Sequence, residues 1–222
     1  MADKVVSTAR LVTIDGSRGT DVAKAAETLA AEVREHGATC LISRWDASGL
    51  FGELAQANGL QRQVSARTLT LVFAADLAFR LRWEIRPALE AGHVVIAAPY
   101  VDTAVVFAMA CGLPERWLRH VLRFAPEAKM RRLSRERKAD RGWKRRLDRG
   151  YPEYCAALLE DADPSFKARR TRTAMIALVQ ELKGRKSGGK RGLEEAARAI
   201  AATGNPPASA SRAAWRPRTE RK

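Results

Sequence analysis

Short apolar segments alternate with segments of helical periodicity along the first half of the chain, and this alternation restricts the possible folds more than any other feature. Three apolar runs are rich in β-branched residues: residues 10–15, 38–43 and 94–98. Helices are predicted between them over residues 20–36 and 68–86, the second ended or kinked by Pro87. Apolar strands that alternate with helices are typical of a parallel sheet covered on both faces. The sequence therefore predicts a three-layer α/β fold.

The second half of the chain is helical in pattern and much more basic. Residues 115–159 show interrupted helical spacing, and residues 170–182 are predicted to form a closing helix. Beyond them the chain is rich in Lys, Arg, Gly, Pro and Ser, a composition that buries too little apolar surface to offset the entropy of ordering. We therefore expect one domain over residues 1–182 and a flexible, largely disordered basic tail over residues 183–222.

The positive charge is concentrated in two segments. The chain has 222 residues, of which 40 are Lys or Arg and 25 are Asp or Glu, so its formal charge is +15. Residues 1–115 are nearly neutral, and the excess lies in residues 116–149 and in the tail. Within the first segment a helical stripe recurs at three- and four-residue steps: Arg135, Lys138, Arg141, Arg145 and Arg149. Such a stripe is a candidate surface for nucleic acid or another polyanion, and it is also typical of a solvated helix face.

Several classes of protein are excluded by the pattern of the sequence. The 3 cysteines and 3 histidines are scattered, without the spacing of a metal site or a disulfide framework. We therefore expect no metal site and a reducing, cytoplasmic location. No signal peptide is expected either, since no charged segment followed by an apolar core opens the chain. The longest apolar stretch, residues 94–113, contains Pro99 and Asp102 and is predicted to be a strand and a buried helix rather than a membrane span.

A predicted strand ends before Gly16 and is followed by a glycine-bearing turn and a helix. α/β proteins bind phosphates at such turns because the helix N-terminus and free backbone N–H groups point there. A phosphate loop has the form G-x-x-x-x-G-K-[ST]. Counted from Gly16, the second glycine falls on Asp21, the lysine on Val22 and the hydroxyl residue on Ala23. Lys24 comes two positions late, about 200° round a helix, and would face away from the phosphates.

Several further segments, taken in order along the chain, carry a more specific signal than this turn alone. They are residues 12–16 (VTIDG), 43–44 and 52–53 (SR and GE), 71–76 (LVFAAD), 85–89 (IRPAL) and 100–103 (YVDT). Over residues 10–182 the chain resembles the thymidylate kinase family of P-loop nucleotide kinases, whose motifs include T-R-E-P-G-G, L-F-A-A-D-R, I-R-P-A-L and D-R-Y-x-D-S. The resemblance implies a P-loop nucleotide-kinase-like sheet with helices on both faces, and the ATP-dependent phosphorylation of dTMP as the family activity.

The departures from the family pattern fall on the residues that carry its chemistry. Val22 provides no cation for the phosphates and Ala23 no hydroxyl for magnesium. The other departures are Asp21 for glycine, Ala98 and Pro99 in the D-R-Y motif, Leu77 for arginine, Trp45 and Asp46 for Glu-Pro, and Ala108 for glutamine. Phosphoryl transfer depends on positioning and charge stabilisation. Losing the lysine, the hydroxyl and the carboxylate together removes many kcal/mol of transition-state stabilisation. We therefore prefer a catalytically impaired, pseudokinase-like interpretation.

The resemblance also implies a set of binding residues. The nucleotide- or phosphate-binding candidates are Gly16, Arg18, Gly19, Arg44, Phe73, Tyr100 and Asp102. Arg18 would meet an anion in place of the missing lysine, and Phe73 matches the phenylalanine that stacks on the base in the family. The sequence leaves structural alternatives open for the side chains: Arg18 and Arg44 as surface charges, Phe73 as a core aromatic, and Tyr100 and Asp102 as helix caps.

Two functional alternatives remain open at this stage. An active, divergent nucleoside monophosphate kinase would use Arg18, Lys24 and the arginines of residues 129–149, which correspond to the family's mobile lid, and it would need ATP and Mg²⁺. A polyanion-binding protein on a kinase fold would use the basic stripe and the tail. The resemblance further implies a homodimer formed through helices that flank the sheet, and the apolar run 104–110 is a candidate interface.

Overall fold

The structure is a computed structural model, and it describes residues 10–57, 64–134 and 150–186. A four-stranded parallel sheet forms the centre of the molecule, with the strand order β2-β3-β1-β4. The strands are β1 (Leu11–Asp15), β2 (Cys40–Arg44), β3 (Val94–Ala98) and β4 (Met130–Leu133). All four run in the same direction, so their carboxyl ends meet at one edge of the sheet.

Helices connect the strands and close the described part of the chain. Those of the first half are α1 (Gly19–Glu35), α2 (Leu50–Gln56), α3 (Ala66–Arg80) and α4 (Arg86–Glu90). Those of the second half are α5 (Val101–Ala110), α6 (Glu115–Val121), α7 (Tyr151–Ala162) and α8 (Ala168–Lys186). α8 extends beyond residue 182, where the sequence pattern placed the end of the closing helix. The basic stripe of residues 135–149 and residues 187–222 of the tail lie outside the described residues.

The core is divided by the sheet into two layers. Alternate residues of β1 and β3, such as Val12 and Ile96, pack against the apolar face of α1. Their neighbours Leu11 and Val95 belong to the larger core formed with α3, α5, α7 and α8. Successive side chains of a strand point to opposite faces, so a strand covered on both sides is buried at every position, as β1 and β3 are. The predicted three-layer α/β architecture is therefore confirmed.

The fourth strand, β4, was not predicted from the sequence. The interpretation of residues 115–159 as helical is wrong at Met130–Leu133, which pair with β1 in parallel register. This strand has 4 residues, and none of them is fully buried. An edge strand pairs on one side only and carries charged residues readily. β4 contains Arg131 and Arg132, so it lacks the apolar run by which the other three strands, including the edge strand β2, were recognised.

Pro87 does not end the helix that contains it. α3 continues into a π-helical turn at Leu81–Ile85 and then into α4, which carries Pro87 in its first turn. A proline inside an α-helix lacks the N–H donor and collides with the carbonyl four residues earlier. The wider π turn shifts the hydrogen-bond pattern by one residue just before the proline, so that the chain stays helical as far as Glu90.

The run 104–110 lies in α5, and its residues 104–108 are buried within this chain. α8 packs against α5 and covers that surface. Most of the run is therefore part of the protein's own core. Because these residues are not exposed, their burial gives no support to the expectation that the run forms a dimer interface.

Arg80 is the charged residue that ties the outer layer to the sheet. Its side chain is fully buried at the carboxyl ends of β2 and β3. The guanidinium donates to the carbonyl of Ser43 at 2.8 Å, to the hydroxyl of Ser43 at 2.9 Å and to the carbonyl of Pro99 at 3.1 Å. Asp76 and Glu84 supply compensating negative charge. A buried charge is tolerated when hydrogen bonds and nearby opposite charge offset its desolvation in this way.

We expect Arg80→Met to destabilise the fold by about 3–5 kcal/mol, because it leaves buried carbonyls without donors and two carboxylates without their counter-ion. The matched control is Arg82→Met, an exposed arginine two residues later, for which a change within about 0.5 kcal/mol is expected. Urea unfolding of both variants measures the difference. Equal losses in the two variants would contradict the role assigned to Arg80.

Candidate functional site

A cleft next to the start of α1 lies at the carboxyl edge of the sheet. It has a volume of about 430 Å³. Its walls are the first turn of α1, the ends of β2 and β3, and the start of α7: Gly19, Val22, Ala23, Arg44, Trp45, Asp46, Ala98, Pro99, Gly150 and Tyr154. Ligands of parallel α/β proteins bind in crevices at this edge, so the cleft is the candidate functional site.

The turn between β1 and α1 is too short to form a phosphate loop of the usual length. β1 ends at Asp15 and α1 begins at Gly19. Asp21 and Val22, the positions of the second glycine and the lysine of the motif, therefore lie inside the helix. Their backbone N–H groups donate to the carbonyl of Arg18 at 3.1 and 3.0 Å. These two donors are used within the first helical turn and do not face a ligand.

Both glycines of the turn have their backbone N–H groups engaged. The N–H of Gly16 donates to the hydroxyl of Thr103 at 3.1 Å. The N–H of Gly19 donates to both carboxylate oxygens of Glu153, at 3.1 and 3.3 Å. The chain approaches Gly16 so closely that a Cβ there would lie 2.0 Å from the Ser134 hydroxyl oxygen. Gly16 is thus closely packed against Ser134 and Val22 of the same chain.

Arg18 points into the protein instead of into solvent. It is 9% exposed, and its charge, together with that of Arg172, favours the ionised form of Glu153. Burial is the larger effect and raises the pKa of Glu153 above its ordinary value, while the Gly19 N–H and the two arginines partly offset it. Glu153, a side chain of the protein itself, thus supplies negative charge near Arg18.

Asp15 is buried at the end of the central strand and accepts the backbone N–H groups at the start of α5. Its Oδ1 atom accepts from Tyr100 N–H and Thr103 N–H, both at 2.9 Å, and from the Thr103 hydroxyl at 2.7 Å. Burial, and then the nearby charge of Asp102, raises the pKa of Asp15 to about 6. Tyr100 is the N-cap residue of α5, and its hydroxyl donates to the carbonyl of Pro126 at 3.0 Å.

The remaining cationic candidates lie on the surface. Arg44 is exposed beside the cleft and forms an ion pair with Glu27 of α1. Lys24 is also exposed, and Val22 of the same turn is buried in the core against the sheet. In this geometry Arg44 borders the cleft and Lys24 does not.

Phe73 is fully buried in a cluster of aromatic rings between α2, α3 and α7. Its ring centre lies 4.6 Å from that of Tyr151, which also contacts Phe51 and Phe107. Trp45 joins the same cluster at its edge near the cleft. The structure therefore places Phe73 in the core, away from the residues that line the cleft.

Three carboxylates at this edge were not recognised from the sequence as binding partners of the backbone. Asp46 accepts the N–H groups of Phe51 and Gly52 at 2.9 and 3.1 Å and so serves the start of α2. Asp76 accepts the N–H groups of Asp46 and Ser48 at 3.0 and 2.9 Å. The third is Glu153, which accepts the N–H group of Gly19. Each bond joins residues that are far apart in the sequence or that lie in a turn, and the spacing of residues in the sequence does not reveal such contacts.

Comparison with known proteins identifies the family that the chain is similar to. A probable thymidylate kinase of Pyrococcus abyssi is 31% identical over 121 residues, which are 52% of this chain and 59% of the relative. A thymidylate kinase of Thermomicrobium roseum is 34% identical over 116 residues, 51% of this chain and 55% of the relative. The chain is thymidylate-kinase-like. The resemblance seen in its motifs is thereby confirmed.

The likeness of this thymidylate-kinase-like chain is partial. A probable thymidylate kinase of Pyrococcus horikoshii is 34% identical over 119 residues and is covered over 57% of its length. The chain thus spans little more than half the length of the curated relatives it matches. No protein-family model matches it.

Two further findings concern metals and membranes. Among residues 10–57, 64–134 and 150–186, no group of three or more His, Cys, Asp or Glu side chains is arranged to hold a metal ion. In the same part of the chain, none of the helices combines the length and apolar character that crossing a membrane requires.

The buried carboxyl of Asp15 makes stability depend on pH. Because its pKa of about 6 in the folded state exceeds the ordinary value of 3.8, the folded state binds this proton more tightly than the unfolded chain does. Its contribution to stability is fully present below about pH 4 and is lost as the pH rises through 6. We expect Asp15→Asn, whose Oδ1 retains the three acceptor roles, to gain about 2 kcal/mol relative to the wild type between pH 4 and pH 7.

Urea unfolding at several pH values measures this difference, with Asp161→Asn on the exposed side of α7 as the control. The control is expected to follow the wild-type pH profile closely. An Asp15→Asn profile parallel to that of the wild type would show that Asp15 does not titrate in this range.

Proposed function

We propose that the chain is a catalytically impaired thymidylate-kinase-like protein, which retains at most the binding of a nucleotide or a phosphate group. The curated relatives are named thymidylate kinases, and they support a kinase-like ancestry for the part of the chain that they cover. The loss of transfer activity is inferred from the residues at the start of α1.

The observation that carries the proposal is the early start of α1. In a phosphate loop, successive backbone N–H groups surround the phosphates, and a lysine at the start of the helix reaches their oxygens. Here the helix already begins at Gly19, and the N–H groups of Asp21 and Val22 bond to the carbonyl of Arg18. The backbone donors needed to surround a β-phosphate are therefore spent inside the helix, whatever side chains these positions carry.

The side chains that line the cleft do not fit ATP with magnesium. Val22 and Ala23 provide neither the cation nor the hydroxyl of the motif, and Ala98 and Pro99 stand where an acid and an arginine belong. Among the described residues that line the cleft, Arg44 is the only cation, and it pairs with Glu27. We therefore derive no phosphoryl-transfer step at this site, because charge stabilisation is the main contribution of such sites to the reaction.

We expect the full chain to form no dTDP from ATP, Mg²⁺ and dTMP above the rate without protein. The same result is expected for the double variant Val22→Lys with Ala23→Thr, which restores the side chains of the motif but not its loop. A thymidylate kinase assayed in parallel shows that the reagents are competent. The two protein samples are compared after circular dichroism has confirmed that both are folded.

Turnover by the wild-type chain would refute the proposal outright. Turnover by the double variant alone would show that the missing side chains, and not the short turn and the early helix, prevent transfer. In that case the impairment would stand but its structural cause would not.

A further inference from the structure

The carboxylate of Glu153 lies at the N-termini of two helices at once. Glu153 is in the first turn of α7, where its own backbone N–H bonds to the carboxylate. The same oxygens accept the N–H of Gly19, the first residue of α1, at 3.1 and 3.3 Å. Helix N-termini attract anions through their unpaired N–H groups and the helix dipole. The carboxylate therefore occupies the position where α1 would meet a phosphate oxygen.

Positive charge surrounds this carboxylate. The charges of Arg172 on α8 and Arg18 before α1 both favour its ionised form. Glu153 is 7% exposed, so the interaction takes place away from bulk solvent. Charges buried in this way are retained only when each has a counter-ion and hydrogen-bond partners. Glu153 serves as the internal counter-ion of a positive region at the start of α1.

On the interior side of Glu153, towards Arg172, the packing leaves no room for a second anion. The cavity beside Glu153, lined by Ser17, Thr171 and Arg172 among others, has a volume of about 10 Å³, which is the space of a single water molecule at most. The start of α7 also lies directly on α1, since a Cβ at Gly150 would come within 2.3 Å of the Gly19 Cα. A phosphate group enters this position only if Glu153 leaves it.

We propose that Glu153 is an internal occupant of the anion position at the start of α1, and that a phosphate-bearing ligand binds there only by displacing it. The inference rests on the proposed function, in which this region at most binds phosphate and does not transfer it, and adds the contact that controls such binding. Glu153 is self-inhibitory because it competes for the same backbone N–H and the same two arginine charges. The start of α7 must then move, or the side chain must rotate out, before a ligand is held.

The experiment compares the full wild-type chain with Glu153→Ala, with Glu153→Gln, and with Asp161→Ala as the matched acidic residue on the exposed side of α7. The probe is sodium pyrophosphate at constant ionic strength. Binding is followed by the melting temperature and by the backbone amide signal of Gly19 in ¹⁵N-labelled protein. The Gly19 amide signal distinguishes pyrophosphate bound at this position from pyrophosphate that associates with the basic tail.

We expect Glu153→Ala to bind pyrophosphate in a saturable way, at least tenfold more tightly than the wild type, with a shift of the Gly19 signal and a rise in melting temperature. The wild type and Asp161→Ala are expected to show no saturable shift at Gly19 up to 50 mM probe. Glu153→Gln is expected to behave like the wild type at Gly19, because its amide oxygen still fills the position and accepts the same N–H.

Three results would overturn the inference. One is a saturable shift of the Gly19 signal in the wild type at low millimolar pyrophosphate, which requires no variant to be folded. Another is a folded Glu153→Ala whose Gly19 signal does not respond. The third is a Glu153→Ala that is unfolded and stays unfolded in 50 mM pyrophosphate, since an occupied anion position is expected to restore the fold.

These results are independent of turnover. Formation of dTDP by the wild type would refute the proposed function, whatever the pyrophosphate titrations show. Equal pyrophosphate binding by the wild type and Glu153→Ala would refute the internal occupant and leave the proposed impairment in place.

Discussion

Backbone N–H groups at the carboxyl edge of the sheet need acceptors, and this chain supplies them from its own carboxylates. Asp15 accepts the N–H groups at the start of α5, and Glu153 that of Gly19 at the start of α1. Asp46 does the same for α2, and Asp76 holds the turn before it. Unpaired donors at a parallel sheet edge are what make it a binding site for phosphates. Here those donors are bonded within the chain, although a cleft of about 430 Å³ still lies beside them.

This arrangement is compatible with a kinase-like architecture in which Val22 and Ala23 stand at the motif positions. The sheet order, the apolar strands and the helical layers depend on core packing, which does not require the motif side chains. Glu153 and Arg18 bring opposite charges near each other at the start of α1, where both side chains are buried. Val22 then contributes to the core, where a lysine would be unfavourable because its charge would be buried without a partner.

The inner strands and α1 could be predicted from the sequence because burial on both faces leaves a continuous apolar run, as in Val94–Ala98. β4 could not, because an edge strand that pairs through its backbone needs no apolar run. The departure from the phosphate-loop pattern was visible in the motif spacing at Val22. The partner of Gly19 was not, since Glu153 lies 134 residues away and no local pattern marks such a contact. Long-range acceptors are fixed by tertiary packing alone.

Calorimetric titration of magnesium-ATP into the full wild-type chain tests most directly whether the edge of the sheet is internally satisfied. The account predicts no saturable heat at nucleotide concentrations up to the millimolar range, because the donors that would hold the phosphates are already bonded to Arg18, Thr103 and Glu153. A dissociation constant in the micromolar range would contradict it, since binding of that strength requires phosphate contacts that the described structure has already committed elsewhere.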